Sequence, residues 1–90
     1  MNNKSNKAFT YIVECATGQY YTGYTTDVVR RVNEHNTGVG AKYTKSRRPV
    51  KLVFCKEFNS KSEAMKYECY VKSLTRSQKI DLIKDYQNNK

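Results

Sequence analysis

Apolar positions recur along the chain with two different periods. In "AFTYIVEC" (8–15) and "QYYTGY" (19–24) aromatic and β-branched residues dominate, which is the pattern of strands; "ATG" between them closes a hairpin. A three-residue loop puts Gly18 in the left-handed position. Cys15 then faces Gln19, Val13 faces Tyr21 and Tyr11 faces Gly23. Tyr11 and Tyr21 thus share one sheet face as diagonal neighbours about 7–8 Å apart. A two-residue loop would set them on opposite faces.

The period becomes helical in "TTDVVRRVNEHNTG", which ends at Gly38. "GVGAKYTKSRRP" is bounded by Gly, basic and loop-like. "VKLVFCKEF" reads as a strand, with Pro49 at its edge. "SKSEAMKYECYVKSL" opens on a capping box, Ser60 with Glu63, and "TRSQKIDLIKDY" on another, Thr75 with Gln78. The order β-β-α-β-α-α predicts an α+β domain, a small and mostly antiparallel sheet with helices packed on it. One domain over 8–86 is expected, with polar, frayed ends at 1–7 and 87–90.

Two helices carry polar residues where the pattern calls for apolar ones. Val28, Arg31, Val32 and His35 fall at i, i+3, i+4 and i+7, a single stripe. The valines turn that stripe toward the sheet and take Arg31 and His35 with it. Either these two snorkel at the rim and the helix end, or they have work to do. Ala64, Tyr67, Glu68 and Val71 repeat the pattern. Glu68 either pairs with Arg31 or holds a hard divalent cation. Tyr67, Tyr70 and Tyr86 read as core or rim aromatics, and Tyr20 and Tyr24 as cover for the other sheet face.

Charge narrows the function. Seventeen Lys and Arg against eight Asp and Glu leave a net +9 on 90 residues, a surplus suited to a polyanion. "GVGAKYTKSRRPVK" contributes Lys42, Lys45, Arg47, Arg48 and Lys51 with no acid, so Lys42, Lys45, Arg47 and Arg48 are the candidate phosphate contacts. Tyr43 beside them either stacks on an unpaired base or packs back on the domain. No apolar run approaches the ~18 residues of a membrane span, and no apolar core of a signal peptide follows Met1. Cys15, Cys55 and Cys69 have no metal-site or disulfide spacing. They read as small buried apolar residues in a reducing, cytoplasmic setting.

Tyr11, Tyr21, Arg31, His35 and Glu68 are parts that phosphodiester hydrolysis can use: a carboxylate for a cation, a guanidinium for the phosphate and a group to take a proton from water. A tyrosine base would need positive charge nearby to ionise. In order and spacing the chain resembles the GIY-YIG nuclease superfamily, and within it the small stand-alone bacterial proteins. "FTY" (9–11) and "YTG" (21–23) stand for its two motifs, "TTDVVRRVNEHNTGVGAKYT" is similar to the stand-alone branch, and "SEAMKYE" to the helix bearing the metal ligand.

The resemblance implies a three-stranded antiparallel sheet flanked by helices. It assigns Tyr11 and Tyr21 to the water and the scissile phosphate, Arg31 to the phosphate and His35 to a place near the nucleophile. Glu68 becomes the sole carboxylate ligand of one Mg²⁺ or Mn²⁺, with no small-molecule cofactor. The implied substrate is nucleic acid, DNA rather than RNA, cut by an endonuclease or structure-selective nuclease of repair or recombination; the small size separately suggests an interaction module for a larger repair assembly. Two features depart from the pattern. Phe9-Thr10 replaces the Gly-Ile of the family name, and "SQKIDLI" lacks the asparagine that many members carry there. The second feature keeps open an alternative, a non-catalytic or weakly catalytic nucleic-acid-binding module on the same scaffold.

Overall fold

A computed structural model describes residues 7–88. It contains β1 (Ala8–Cys15), β2 (Tyr20–Thr25), α1 (Val28–Thr37), α2 (Lys42–Lys45), β3 (Val50–Phe58), α3 (Lys61–Lys72) and α4 (Arg76–Asn88). The strands form one antiparallel sheet in the order β2-β1-β3, so β1 is central and β2 lies on an edge. The α+β architecture and the β-β-α-β-α-α order match the sequence pattern, with α2 added. The expected frayed ends lie outside the described residues except Lys7, Gln87 and Asn88, and α4 continues through the last two.

Local chemistry sets the element ends. Gly18 sits at φ 98°, and Cys15 N–H donates to the Gln19 carbonyl at 2.8 Å, closing the three-residue hairpin loop. The register follows: Val13 opposes Tyr21 and Tyr11 opposes Gly23. Asp27 caps α1 by accepting from Arg30 N–H at 3.0 Å. Ser60 accepts from Glu63 N–H, and Thr75 and Gln78 cap each other reciprocally at the start of α4.

Both faces of the sheet are covered. On one, Ile12, Val53, Phe54, Val71 and Ile83 form an apolar core with Tyr20, Tyr67, Leu74, Leu82 and Tyr86 packed against it from the rim. Thr10 ties this face to α3, its hydroxyl donating to the Ala64 carbonyl at 2.7 Å. On the other, Tyr11, Val13, Cys15 and Val50 pack under Tyr21 and Val32.

Two expectations need correction. The stretch expected to be a loop contains the helical turn α2. Ala41 O accepts both the backbone N–H of Thr44 (3.1 Å) and its hydroxyl (3.0 Å), and a four-residue turn is too short to impose a period on the sequence. The cysteines are all free, but only Cys15 is buried; Cys69 is exposed, because its position on α3 turns away from the face that buries Ala64 and Val71.

Candidate active site

The central strand delivers Tyr11 to the middle of the α1 face. Its phenol lies across β2 above Gly23, where a Cβ would stand 2.7 Å from the Tyr11 hydroxyl, so only glycine leaves room. His35, in the last turn of α1, is fully buried. Its Nε2 lies 2.8 Å from the Tyr11 hydroxyl and its Nδ1 2.8 Å from Thr44 Oγ1. Gly40 lets the connecting loop close over the imidazole, since a Cβ there would meet Nδ1 at 2.6 Å. The Tyr21 ring meets His35 edge-on, with centroids 5.3 Å apart. The polar stripe of α1 therefore points inward at His35.

Three contacts bear on the direction of the protons: the Ala41 N–H reaches His35 Nδ1 at 3.5 Å, and the two 2.8 Å contacts to Tyr11 and Thr44, being shorter, outweigh it. The single hydroxyl proton of Thr44 goes to the Ala41 carbonyl, so Thr44 Oγ1 is left to accept from His35 Nδ1–H. Nε2 then carries the lone pair and accepts from the Tyr11 hydroxyl. The result is a buried chain, Tyr11 to His35 to Thr44 to Ala41, in which every member has a partner.

Burial sets the charge states. It pushes the Tyr11 hydroxyl above its ordinary pKa, against the opposing pull of the Arg31 guanidinium. A tyrosine base needs positive charge nearby to ionise, and Arg31 supplies some; desolvation is the larger effect, so Tyr11 keeps its proton. Burial, and then Arg31, hold His35 below its ordinary value, so its imidazole is neutral near pH 7. Arg31 pairs with Glu34 at 2.9 Å, and Arg30 binds the same carboxylate at 2.8 Å. Arg31 is the largest cause holding the Glu34 carboxyl below the usual range.

Glu68 does not pair with Arg31. Its carboxylate, on a side chain 15% exposed, pairs with Lys72 one turn on, at 3.0 Å. The i,i+4 spacing of Glu68 and Lys72 is the signal that could have found this pair. Glu68 lies near enough to Tyr11 for its charge to be the smallest of the influences on that hydroxyl. Among the described residues no three His, Cys, Asp or Glu side chains gather around a common point. One hard carboxylate near the Tyr11 hydroxyl fits an ion that keeps most of its waters, as Mg²⁺ does, and does not fit zinc.

The basic segment is only partly free. Lys42 and Lys45 are exposed and make no ion pair among the described residues. Arg47 donates to the Tyr43 carbonyl at 2.7 Å and lies 4.1 Å over that ring. Arg48 donates to the Lys45 carbonyl at 2.7 Å. Both arginines thus brace the loop they were expected only to charge. Tyr43 stacks on Tyr21 with centroids 5.9 Å apart and keeps 40% of its surface exposed. Thr44 escaped sequence reasoning: nothing in "KYTK" distinguishes a threonine that will be buried against a histidine nine residues earlier.

Comparison with known proteins places the chain in a family. The model of the GIY-YIG catalytic domain matches residues 7–81. The chain is 56% identical over 81 residues to a UPF0213 protein of Streptococcus agalactiae, covering 90% of this chain and 92% of that one. It is 48% identical over 87 residues to the UPF0213 protein YazA of Bacillus subtilis, covering 97% and 88%. Among solved structures it is similar to the solution NMR structure of a UPF0213 protein from Bacillus halodurans, at 50% identity and TM-score 0.57 over 87% of this chain and 83% of that one. A second solution structure, of an E. faecalis protein, matches at 44% identity and TM-score 0.62, over 97% and 92%. With nearly the whole domain matched, the chain belongs to the GIY-YIG catalytic domain family, in its small stand-alone UPF0213 branch.

Proposed function

We propose that this protein is a nuclease that hydrolyses phosphodiester bonds in DNA. The observation that carries the reading is the buried Tyr11–His35 pair, 2.8 Å apart, with Arg31 beside it. A neutral imidazole accepting from a protonated tyrosine is a ready proton path. The attacking water gives its proton to the Tyr11 oxygen as Tyr11 passes its own to His35 Nε2. The water oxygen bonds to phosphorus, and the bridging ester oxygen departs. Thr44 keeps Nδ1–H directed away, so Nε2 remains the receiving atom. Arg31, leaving Glu34, forks onto the nonbridging phosphate oxygens, and Tyr21 supports the imidazole from the side. Glu68 would hold a Mg²⁺ or Mn²⁺ ion, which supplies charge at the leaving oxygen when bound.

Cleavage of supercoiled, flapped and single-stranded DNA in Mg²⁺, Mn²⁺ or chelator tests the proposal, with the Glu68→Ala protein in parallel. The expected result is cation-dependent cutting that falls about a hundredfold or more in the variant, whose fold is retained because Glu68 makes a single ion pair, to a half-exposed lysine on its own helix. Undiminished cutting by the variant rules the mechanism out. A second reading, a binding module that cuts weakly or not at all, draws on Lys72 occupying the Glu68 carboxylate. Equal DNA binding by both proteins with no cutting would establish it.

A further inference from the structure

Along the open edge of β2, next to the Tyr21 ring, runs a cleft of about 300 Å³ lined by Tyr20, Tyr21, Thr22, Tyr43, Lys72 and Lys79. Four elements build it: β2, α2, α3 and α4. Two ammonium groups line it along with three tyrosines. Lys79 makes no ion pair among the described residues, and Lys72 is shared with Glu68. Thr22 is 4% exposed, and its hydroxyl has no hydrogen-bond partner, the one such buried side-chain atom among the described residues. A buried, unpartnered donor lining a cationic, aromatic cleft marks a place where a ligand supplies the missing partner.

From these features we infer that the cleft receives one unpaired nucleotide of the DNA strand, adjoining the scissile phosphate. The volume is at the lower end for small-ligand sites, room for a single nucleotide unit. A base held in a duplex is paired and stacked on both faces and cannot lie on these rings; a base out of the stack can, and tyrosine rings are the surfaces on which such bases lie. Lys72 and Lys79 take the flanking phosphates. Lys72 pairs with Glu68 and Tyr21 lies against His35, so the cleft adjoins the proposed catalytic centre. The inference rests on the nuclease reading of that centre and narrows its substrates to strands with single-stranded character, such as flaps, gaps and free single strands.

Binding in chelator, where nothing is cut, separates this inference from the activity. The probes are a short labelled single strand carrying 2-aminopurine and the same sequence as a blunt duplex. The single strand should bind at least about fivefold tighter, with the 2-aminopurine emission quenched on the tyrosines. Tyr43→Ala should lose about fivefold or more of that affinity, and the quenching with it. Lys79→Ala, an exchange on a helix surface that keeps the fold, should lower the slope of log affinity against log salt by about 0.7. Equal affinity for the two probes overturns the inference, as does unchanged single-strand binding by the Lys79→Ala protein. A protein that cuts duplex DNA yet shows no preference would break this inference and spare the nuclease reading. One that prefers single strands but never cuts would do the reverse.

Discussion

The two faces of the sheet are built from the same central strand, yet residues adjacent on it meet different worlds. Ile12 points into an apolar core with Phe54, Val71 and Ile83, where stability comes from area removed from water. Tyr11, its neighbour, points into a face where a phenol, an imidazole and a hydroxyl are buried together. A sheet this small has little apolar surface to spare. Spending half of one face on a polar chain is tolerable only because each member satisfies the next, and because the opposite face carries the packing. One face holds the protein together and the other is free to be specialised.

The sharpest break in this comparison comes from two neighbouring substitutions. Ile12→Ala empties the apolar face and should cost about 2–5 kcal/mol, a large share of the roughly 5–15 kcal/mol available to a domain. Whatever remains folded should still cut DNA. Tyr11→Phe keeps the ring but leaves His35 Nε2 without a donor, at about 1–3 kcal/mol, while cleavage is lost. Urea melts beside cleavage rates check both. If Ile12→Ala loses cleavage per folded molecule as completely as Tyr11→Phe does, the division of labour between the faces is wrong.

A second test uses pH, to which the apolar core is indifferent. Burial and Arg31 hold the folded pKa of His35 below its ordinary value of 6.5. Arg31 and Glu34 face it from its own helix, and Tyr11, Tyr21 and Thr44 from the other elements. As pH falls through about 6.5 the unfolded chain binds a proton that the folded protein refuses. Stability is therefore complete above that value and declines below it, by at most about 1.4 kcal/mol per pH unit, until His35 itself is protonated. The lowered Glu34 carboxyl adds a separate decline at more acid pH. In urea melts, His35→Gln should be less stable at neutral pH and should lack the first decline; a wild-type profile in that variant would show that the buried imidazole does not govern it.

The sequence made much of the chemical face legible. Gly18 in third place set the hairpin register and so put Tyr11 and Tyr21 on one side. His35 stood out because a polar residue on an apolar stripe needs a reason, and its burial confirms the stripe's direction. What stayed hidden depends on tertiary contact. Thr44 acts on His35 across a loop, α2 is too short to leave a period, and Glu68 chose a partner on its own helix over the arginine across the site. The cleft at the β2 edge assembles from four elements and has no signature in any one of them.

Thr22 gives the smallest and most discriminating test, since it belongs to β2 itself and lines the cleft. Valine has the same shape and favours a strand, and replacing Thr22 with it removes a buried hydroxyl that satisfies nothing in the protein. Thr22→Val should therefore raise stability by about 1 kcal/mol. If that hydroxyl serves an incoming nucleotide, the same variant should bind single-stranded DNA less tightly, gaining stability as it loses affinity. Opposite movements of the two quantities are hard to obtain from a packing defect, which would leave binding untouched. Thermal melts and anisotropy titrations on one preparation decide it, and a variant that is more stable and binds as well as wild type would return Thr22 to the core as an ordinary strand residue.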